Sequence, residues 1–377
     1  MFYKETKFKN TLIGKIPEDW LSIQLKETLT LKNGERPTFL EKGNIPIYGA
    51  NGVMGFTNEY LVDNKFTIIF GRVGASGEVH LGKGKIWVSD NAIYSKNYAE
   101  GKIYLPFIFY FLKLKNLKQF ASKTTHPIIT QTFLNNLQIP LPPFPEQQKI
   151  SDILSTVDEA IQKTNEIIAK IERLKKGLMQ ELLTKGIGHK EFKYSKELGY
   201  KIPKEWEVVR LGDILSLEYG EGLPEKERAL GKYPVVGSNG IVGYHNKKLI
   251  NGPGIVIGRK GTIGAVSWLE QDFWPIDTTY YVKPKISDVN LKWLFFELVH
   301  LNLARIHLAD VVPGLKRELV YPLKVLLPSF PEQQKIASIL STVDKRLQVE
   351  REEKQRLERI KKGLMDLLLT GKIRVKV

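Results

Sequence analysis

Two glycine-punctuated runs each carry one arginine directly after their first glycine. GRVGASG spans residues 71–77 and GRKGTIG spans residues 258–264. Neither run has the spacing of a phosphate-binding loop or of a dinucleotide-binding turn, so both predict turns that connect strands. An arginine held at the surface by such a turn can clamp a phosphate of a nucleic-acid backbone. We therefore select Arg72 and Arg259 as candidate DNA contacts, with a surface salt bridge as the alternative for each.

The residue types that catalysis requires are not arranged for it. LPPF at 141–144 is similar to the [ND]PP[YF] motif of amino-methyltransferases, but Leu141 stands where an amide or carboxylate must accept from the target amine. The chain has no cysteine, and none of its six histidines falls in an H-E-x-x-H spacing. We expect no catalytic residue, no metal site and no cofactor bound by this chain.

The glycine runs belong to a chain that is one unit written twice. PEQQKISDILSTVD at 145–158 returns as PEQQKIASILSTVD at 331–344, identical at 12 of 14 positions and shifted by 186 residues. The same shift relates two further pairs of runs, KIPEDW at 15–20 with KIPKEW at 201–206 and RLKKGLM at 173–179 with RIKKGLM at 359–365. Self-similarity of this kind predicts a duplicated fold.

The duplication allows the two copies to be compared position by position. Positions that are alike are expected to maintain the fold or to contact phosphates, whereas positions that differ are candidates for contacting bases. Asn51 and Asn239 are alike and are candidate DNA contacts. The alternative for each is a tight turn formed with the glycine that follows, because asparagine and glycine both tolerate positive φ. In the major groove, Lys and Arg can pair with guanine and Gln with adenine. The differing candidates, each with a solvated surface residue as the alternative, are Tyr244 opposite Phe56, Lys260 opposite Val73, and Lys316 and Arg317 opposite Thr130 and Gln131 in a predicted loop.

The segments between the repeated runs predict two compact α+β domains, at 1–145 and 187–331. Short β-branched and aromatic runs broken by glycine predict strands, and the apolar stretches at 105–117 and 291–303 predict one buried helix each. The formal net charge of the chain is +16, of which residues 1–145 carry +7 and residues 185–331 carry +5. The basic excess therefore lies mostly on the domains, which favours a polyanion such as DNA as their partner.

A long proline-free run follows each domain. In 146–184 and 332–370 the apolar residues keep the alternating spacing of a coiled-coil seam, with Glu and Lys outside it. Each run would form a helix of about 39 residues and about 58 Å, too long to bury its stripe against one domain. We expect the spacer segments, 146–186 and 332–377, to form an antiparallel coiled coil that separates two pseudo-twofold related α/β domains.

These features together resemble the specificity subunit of type I restriction-modification systems. The resemblance covers essentially the whole chain and rests on the doubled PEQQKI helices, the KIPxxW openings, and the NGxxG[FY] and GRxGxxG runs. It implies a non-catalytic cytoplasmic protein whose two target recognition domains bind an asymmetric bipartite sequence of double-stranded DNA. It also implies two methylation subunits that carry S-adenosylmethionine and methylate adenine, and restriction or translocase subunits that use ATP and Mg.

Two glutamines stand near the start of each spacer helix. A proline followed by Glu146 or Glu332 suits a first helical turn, where free N–H groups and the helix dipole favour an anion. That explanation does not extend to the glutamines, which are kept in both copies. We hypothesise that a methylation subunit binds at Gln147, Gln148, Gln333 and Gln334.

Two alternative functions remain open from the sequence. The chain could be the recognition part of a related type II methyltransferase or nuclease, which would need the catalytic motifs that are missing. It could also be a coiled-coil scaffold without a nucleic-acid role, which the charge of the domains disfavours. A membrane partner is not expected, because the longest apolar run, at 103–112, is about half of the ~20 residues that a spanning helix needs.

Overall fold

The chain divides into two compact units. A computed structural model describes residues 2–38, 43–122, 128–306 and 314–376. Unit 1 extends to Asn165 and resumes at Glu352, and unit 2 is Glu166–Arg351. Both long helices contribute residues to both units.

The first half of the chain alternates short strands with three helices in its described residues. Its elements are β1 Phe2–Lys4, β2 Phe8–Thr11, β3 Gly14–Pro17, β4 Leu21–Gln24, β5 Leu29–Asn33, β6 Ile45–Gly49, β7 Gly52–Thr57, β8 Val62–Gly71, β9 Val79–Val88, β10 Ala92–Tyr98, α1 Leu105–Lys115, α2 Gln131–Asn135, β11 Gln138–Leu141 and α3 Phe144–Thr184.

The second half follows this order from β2 onward, with a short helix after its third strand and two strands in the place of β9, and it ends in one more strand. Its elements are β12 Phe192–Ser195, β13 Tyr200–Pro203, β14 Glu207–Arg210, α4 Leu211–Ile214, β15 Leu215–Tyr219, β16 Tyr233–Gly237, β17 Gly240–His245, β18 Gly254–Gly258, β19 Val266–Leu269, β20 Trp274–Pro275, β21 Thr279–Pro284, α5 Leu291–Leu301, α6 Arg317–Val320, β22 Lys324–Leu327, α7 Phe330–Leu368 and β23 Ile373–Val375.

The centre of unit 1 is a six-stranded sheet in the order β5-β10-β8-β9-β6-β7. Its pairs are antiparallel except β6 with β9, which are parallel. The apolar run Ile68–Phe70 of β8 is fully buried, because β8 has a neighbouring strand on each side and α1 packs against β8 and β9. Apolar residues on both faces are typical of such a central strand.

Unit 2 has the same strand arrangement, but its sheet is divided. One part has the order β15-β21-β18-β19 and the other β17-β16-β20. The single strand β9 of unit 1 corresponds to two strands here, because residues 270–273 interrupt the run between β19 and β20. β19 pairs with β18, and β20 pairs in parallel with β16, as the two ends of β9 do with β8 and β6.

Within each unit, α3 and α7 pack on each other. In unit 1, Ile150 and Leu154 of α3 share a buried core with Leu368 of α7. In unit 2, Leu182 and Ile336 belong to one buried core. In each unit, apolar residues of the heptad stripe are therefore buried in the core of that unit.

The pairs of charges along these helices give their direction. In unit 2, Glu172 of α3 pairs with Arg351 of α7 at 2.7 Å, and Lys175 pairs with Asp344 at 2.5 Å. Contact partners advance along α3 while they recede along α7, so the helices are antiparallel. The predicted α+β fold class with an antiparallel pair of long helices is confirmed. Both helices start two residues before the predicted position, because their first turn includes a Phe-Pro pair. Proline fits there, since a backbone N–H in the first turn has no partner within the helix.

Candidate nucleic-acid interface

The GRxGxxG runs form turns at the end of the central strand of each unit. Gly71 ends β8, and its carbonyl accepts from the N–H of Gly77 at 2.9 Å. The φ of Gly77 is +85°, and a Cβ there would lie 2.5 Å from the backbone nitrogen of Lys118. Gly264 repeats both features in unit 2, with a φ of +73° and a Cβ that would lie 2.4 Å from the backbone nitrogen of Ala304. The prediction of strand-connecting turns is confirmed, and only glycine fits their last position.

The NGxxG[FY] runs form the tips of β-hairpins. Asn51 lies in the turn between β6 and β7, and Asn239 lies in the turn between β16 and β17. Both asparagines are exposed. Gly52 and Gly240 have φ of +102° and +101°, whereas neither asparagine has a positive φ. The predicted turns are confirmed, but only the glycine needs the left-handed conformation.

Each hairpin tip lies beside the arginine-bearing turn of its own unit. In unit 1, a Cβ on Gly71 would lie 2.7 Å from the carbonyl oxygen of Ala50. In unit 2, a Cβ on Gly258 would lie 3.1 Å from the carbonyl oxygen of Ser238. The tertiary structure therefore brings Asn51 near Arg72 and Asn239 near Arg259.

A third segment joins this cluster in both units. The N–H of Ile129 donates to the carbonyl of Arg72 at 3.2 Å, and the N–H of Leu315 donates to the carbonyl of Arg259 at 2.9 Å. The residues that follow were predicted to lie in a loop, but they begin the short helices α2 and α6. Thr130 is the N-cap of α2, and its hydroxyl accepts from the N–H of Phe133 at 3.2 Å. The position of Thr130 is thus the start of a helix in both units.

Two candidates touch the end of a fourth segment. Gln131 is the first residue of α2, and its Nε2 donates to Oδ1 of Asn33, the last residue of β5, at 2.9 Å. Arg317 is the first residue of α6, and its guanidinium lies 4.6 Å from the ring centroid of Tyr219, the last residue of β15. Four separate segments of the chain thus meet at equivalent places in the two units.

The two repeated arginines differ in what holds them. Arg259 donates from Nε and Nη2 to the carbonyl of Asp277 at 3.3 and 2.9 Å, and it lies 5.1 Å from the Tyr219 ring. The half-buried side chain of Arg72 forms no hydrogen bond with the described residues, although its backbone N–H donates to the carbonyl of Asn91 at 2.9 Å. Neither arginine forms a salt bridge within the described ranges. The remaining candidates, Lys260, Lys316 and Tyr244, are exposed.

The glutamines expected at a subunit interface divide into two kinds. Gln147 is 1% exposed; its Oε1 accepts from the N–H of Tyr104 at 2.8 Å, and its Nε2 donates to the carbonyls of Lys102 and Pro142 at 3.0 and 2.9 Å. Gln333 is 0% exposed and makes the same three bonds in unit 2, at 2.8, 3.0 and 2.9 Å. The interface prediction is wrong for this pair, because a buried amide with all these bonds inside its own unit has nothing to offer a partner. For the exposed Gln148 and Gln334 it stays a prediction.

Replacing Gln147 with alanine is expected to lower the free energy of unfolding of unit 1 by about 1–3 kcal/mol. The substitution leaves the N–H of Tyr104 and the carbonyls of Lys102 and Pro142 without their partner. Replacing the exposed neighbour Gln148 should change it by less than about 0.5 kcal/mol. Urea unfolding of the two variants checks this, and equal effects would contradict the role of Gln147.

Sequence reasoning missed the partners of the acid beside each of these glutamines, Glu146 in unit 1 and the partly buried Glu332 in unit 2. Glu146 is 2% exposed and accepts from Nε1 of Trp20 at 3.2 Å and from Arg374 at 2.7 Å. In unit 2, Glu332 accepts from Nε1 of Trp206 at 2.9 Å and contacts Nε2 of His189 at 2.8 Å. The sequence does contain an indication of this contact, since the tryptophan of KIPxxW and the glutamate of PEQQ both recur in the second copy. Each pair fixes a KIPxxW segment to the start of a long helix.

The first lysine of each KKGLM run also has a partner. Lys361 pairs with Asp158 at 2.6 Å in unit 1, and Lys175 pairs with Asp344 at 2.5 Å in unit 2. Each aspartate belongs to the repeated STVD run. The two most similar parts of the repeat therefore meet across the paired helices.

No cluster of potential metal ligands occurs in the part of the chain that the structure describes. The described helices include none with the length and apolar character needed to cross a membrane. LPPF connects β11 to α3: Leu141 is the last residue of β11, and Phe144 is the first of α3. This placement agrees with its interpretation as a linker.

The family model for the type I restriction modification DNA specificity domain matches residues 17–173 and 203–359. The chain is 31% identical to the type I restriction enzyme MjaVIII specificity subunit of Methanocaldococcus jannaschii, over 100% of this chain and 98% of that protein. It is also 31% identical to the putative type I restriction enzyme MjaX specificity subunit of the same organism, with the same coverage. Among solved structures, the type I restriction-modification S subunit from M. genitalium has a TM-score of 0.74 and 20% identity, over 99% of this chain and 100% of that one.

Proposed function

Because the chain belongs to the type I restriction-modification DNA specificity family and carries two copies of its domain, we propose that it directs such a complex to an asymmetric bipartite DNA sequence. Each unit reads one half of that sequence. The chain supplies recognition and not catalysis, and it works in the cytoplasm.

One observation carries this proposal. Four segments meet at equivalent places in the two units, and the backbone contacts among them are the same. The side chains at the meeting point differ, with Gln131 and Asn33 in unit 1 and Arg317 and Tyr219 in unit 2. A shared frame with different polar groups suits two half-sites of different sequence.

The partners follow from the same premise. Two methylation subunits bind the chain and carry S-adenosylmethionine, and restriction or translocase subunits bring ATP and Mg. The exposed Gln148 and Gln334 form part of the surface for the methylation subunits. The PEQQKI run at the start of the long helix occurs twice in the chain. This repetition supports two equal partners.

Deleting the gene in its source genome tests the proposal directly. We expect adenine methylation to disappear at one asymmetric bipartite sequence and to return when the gene is restored. Sequencing of modified adenines before and after the deletion measures this. An unchanged methylation pattern in a strain whose methylation subunits are active would contradict the proposed function.

Replacing Arg317 with alanine is expected to weaken binding through one half-site by roughly 5- to 150-fold, since a bidentate base contact contributes about 1–3 kcal/mol. Competition binding with duplexes altered in one half-site at a time measures the loss. The matched variant Gln131→Ala should weaken the other half-site. An equal loss on unrelated DNA would instead identify Arg317 as a phosphate contact.

A further inference from the structure

The last residue of one strand and the first residue of one short helix meet at the same structural position in each unit. Asn33 ends β5 and lies opposite Ile93 of β10. Tyr219 ends β15 and lies opposite Tyr280 of β21. The strand register therefore places Asn33 and Tyr219 at equivalent positions. They are also 186 residues apart, which is the shift that relates the two copies of the repeat.

The backbone around this position is the same in both units. The N–H of Gly34 donates to the carbonyl of Ala92 at 3.0 Å, and the N–H of Gly220 donates to the carbonyl of Thr279 at 3.2 Å. A Cβ on Gly34 would lie 2.2 Å from a carbonyl oxygen, and one on Gly220 would lie 2.3 Å from another. The backbone follows the same path after this strand in both units. The backbone conformation therefore does not require Asn33 and Tyr219 to differ.

A tryptophan fixes the next residue in the same way. Nε1 of Trp87 donates to the carbonyl of Glu35 at 3.0 Å, and Nε1 of Trp274 donates to the carbonyl of Glu221 at 3.0 Å. The strand end is therefore held on both sides of the meeting point. Rigid support of this kind is what a recognition side chain needs if it is to read one base edge.

In unit 1 the meeting point is a pair of amides. Gln131 donates one hydrogen of Nε2 to Asn33 at 2.9 Å. A primary amide has two donor hydrogens and an acceptor oxygen, so the second hydrogen and Oε1 of Gln131 stay available. A donor beside an acceptor matches N7 and the N6 amino group of adenine in the major groove.

In unit 2 the meeting point is an arginine stacked on a tyrosine. The guanidinium of Arg317 lies 4.6 Å from the Tyr219 ring centroid, and its Nη1 donates to the carbonyl of Leu217 at 3.0 Å. Arginine has five N–H donors, so the others stay available in an orientation that the ring and the carbonyl restrict. Two parallel donors match O6 and N7 of guanine.

We propose that these two residue pairs decide the base that each recognition domain reads at one position of its half-site. The Asn33–Gln131 pair selects adenine, and the Tyr219–Arg317 pair selects guanine. This inference rests on the proposed function, because it assigns bases to an interface that must first bind DNA. It is independent of which residues contact phosphates.

Exchanging the pairs tests the inference. The variant of the full chain with Asn33→Tyr and Gln131→Arg is expected to change the preferred base from adenine to guanine at one position of the first half-site. Selection from a library of random duplexes, followed by sequencing, measures the preference. We expect a change in the preference ratio of roughly 5- to 150-fold, since one bidentate contact distinguishes bases by that factor. The second half-site should be unchanged.

The reciprocal variant, Tyr219→Asn with Arg317→Gln, guards against a variant that fails to fold. It should change guanine to adenine in the second half-site and leave the first unchanged. Retained binding with unchanged preferences in both variants would overturn the inference, and so would equal weakening on all sequences. If the unaltered chain enriches no bipartite duplex, alone or with its methylation subunits, the proposed function itself fails.

Discussion

Replacing Arg374 with alanine is expected to destabilise unit 1 by about 3–5 kcal/mol, because it leaves a buried carboxylate without its charge partner. The Arg374 side chain is 7% exposed and donates to both oxygens of Glu146 at 2.7 Å. It also donates to both oxygens of Asp19 at 2.9 and 2.8 Å and to Glu5 at 2.7 Å. After the substitution, Glu146 would keep only the N–H of Trp20 from this set.

Hydrogen exchange of the core amides of unit 1 measures this effect separately from unit 2. The neighbouring substitution Lys372→Ala is the matched control, since Lys372 and Asp366 form a surface pair with 54% and 56% of their side chains exposed. Such a pair contributes about 0–1 kcal/mol. If exchange protection in the Arg374 variant equalled that of the Lys372 variant, the buried network would not hold β23 in unit 1.

Unit 2 is expected to lose stability as the pH rises from 5 to 8, because it buries a carboxyl group in α5. Glu297 is 4% exposed, and its Oε2 has no hydrogen-bond partner among the described residues. Burial raises the pKa of Glu297 to about 8, from an ordinary value of 4.5. The folded carboxyl therefore holds its proton more tightly than the unfolded one. Its stabilising contribution is complete below pH 4.5 and is lost as the pH rises to about 8.

The variant Glu297→Gln removes this dependence, since an amide does not ionise. Between pH 5 and pH 8 the unaltered chain should lose about 3 kcal/mol more stability in unit 2 than the variant, at 1.36 kcal/mol per pKa unit. Urea unfolding at a series of pH values, followed by hydrogen exchange in α5, measures the difference. Glu205→Gln alters an exposed carboxylate and serves as the control. Parallel pH curves for the Glu297 variant and the unaltered chain would contradict the assignment.

The equivalent position in unit 1 shows why Glu297 is unusual. Phe111 occupies that place in α1, and it is buried in an apolar core. Unit 2 therefore carries an ionisable group where its twin carries an aromatic ring. Comparison of the two copies shows this difference in the sequence. The free-energy cost arises because the ionised carboxylate would be buried.

The candidate interface was only partly predictable. The glycine spacing identified the turns, and the repeat identified Arg72, Arg259, Gln131 and Arg317 as positions to compare. Asn33 and Tyr219 were missed, because they lie about 100 residues from their partners and no local pattern marks them. Gln147 and Gln333 were misassigned because repetition shows that a residue is retained without showing whether it faces solvent or its own backbone.

The sequence by itself determined the duplication, the two α+β domains and the long amphipathic helices, because periodicity and repetition are properties of neighbouring residues along the chain. Only the tertiary structure decided which of the repeated polar residues are buried. It also decided which loops meet and which strand end each candidate touches. Those facts depend on contacts between distant segments, and such contacts form only when packing of the core fixes the positions of those segments.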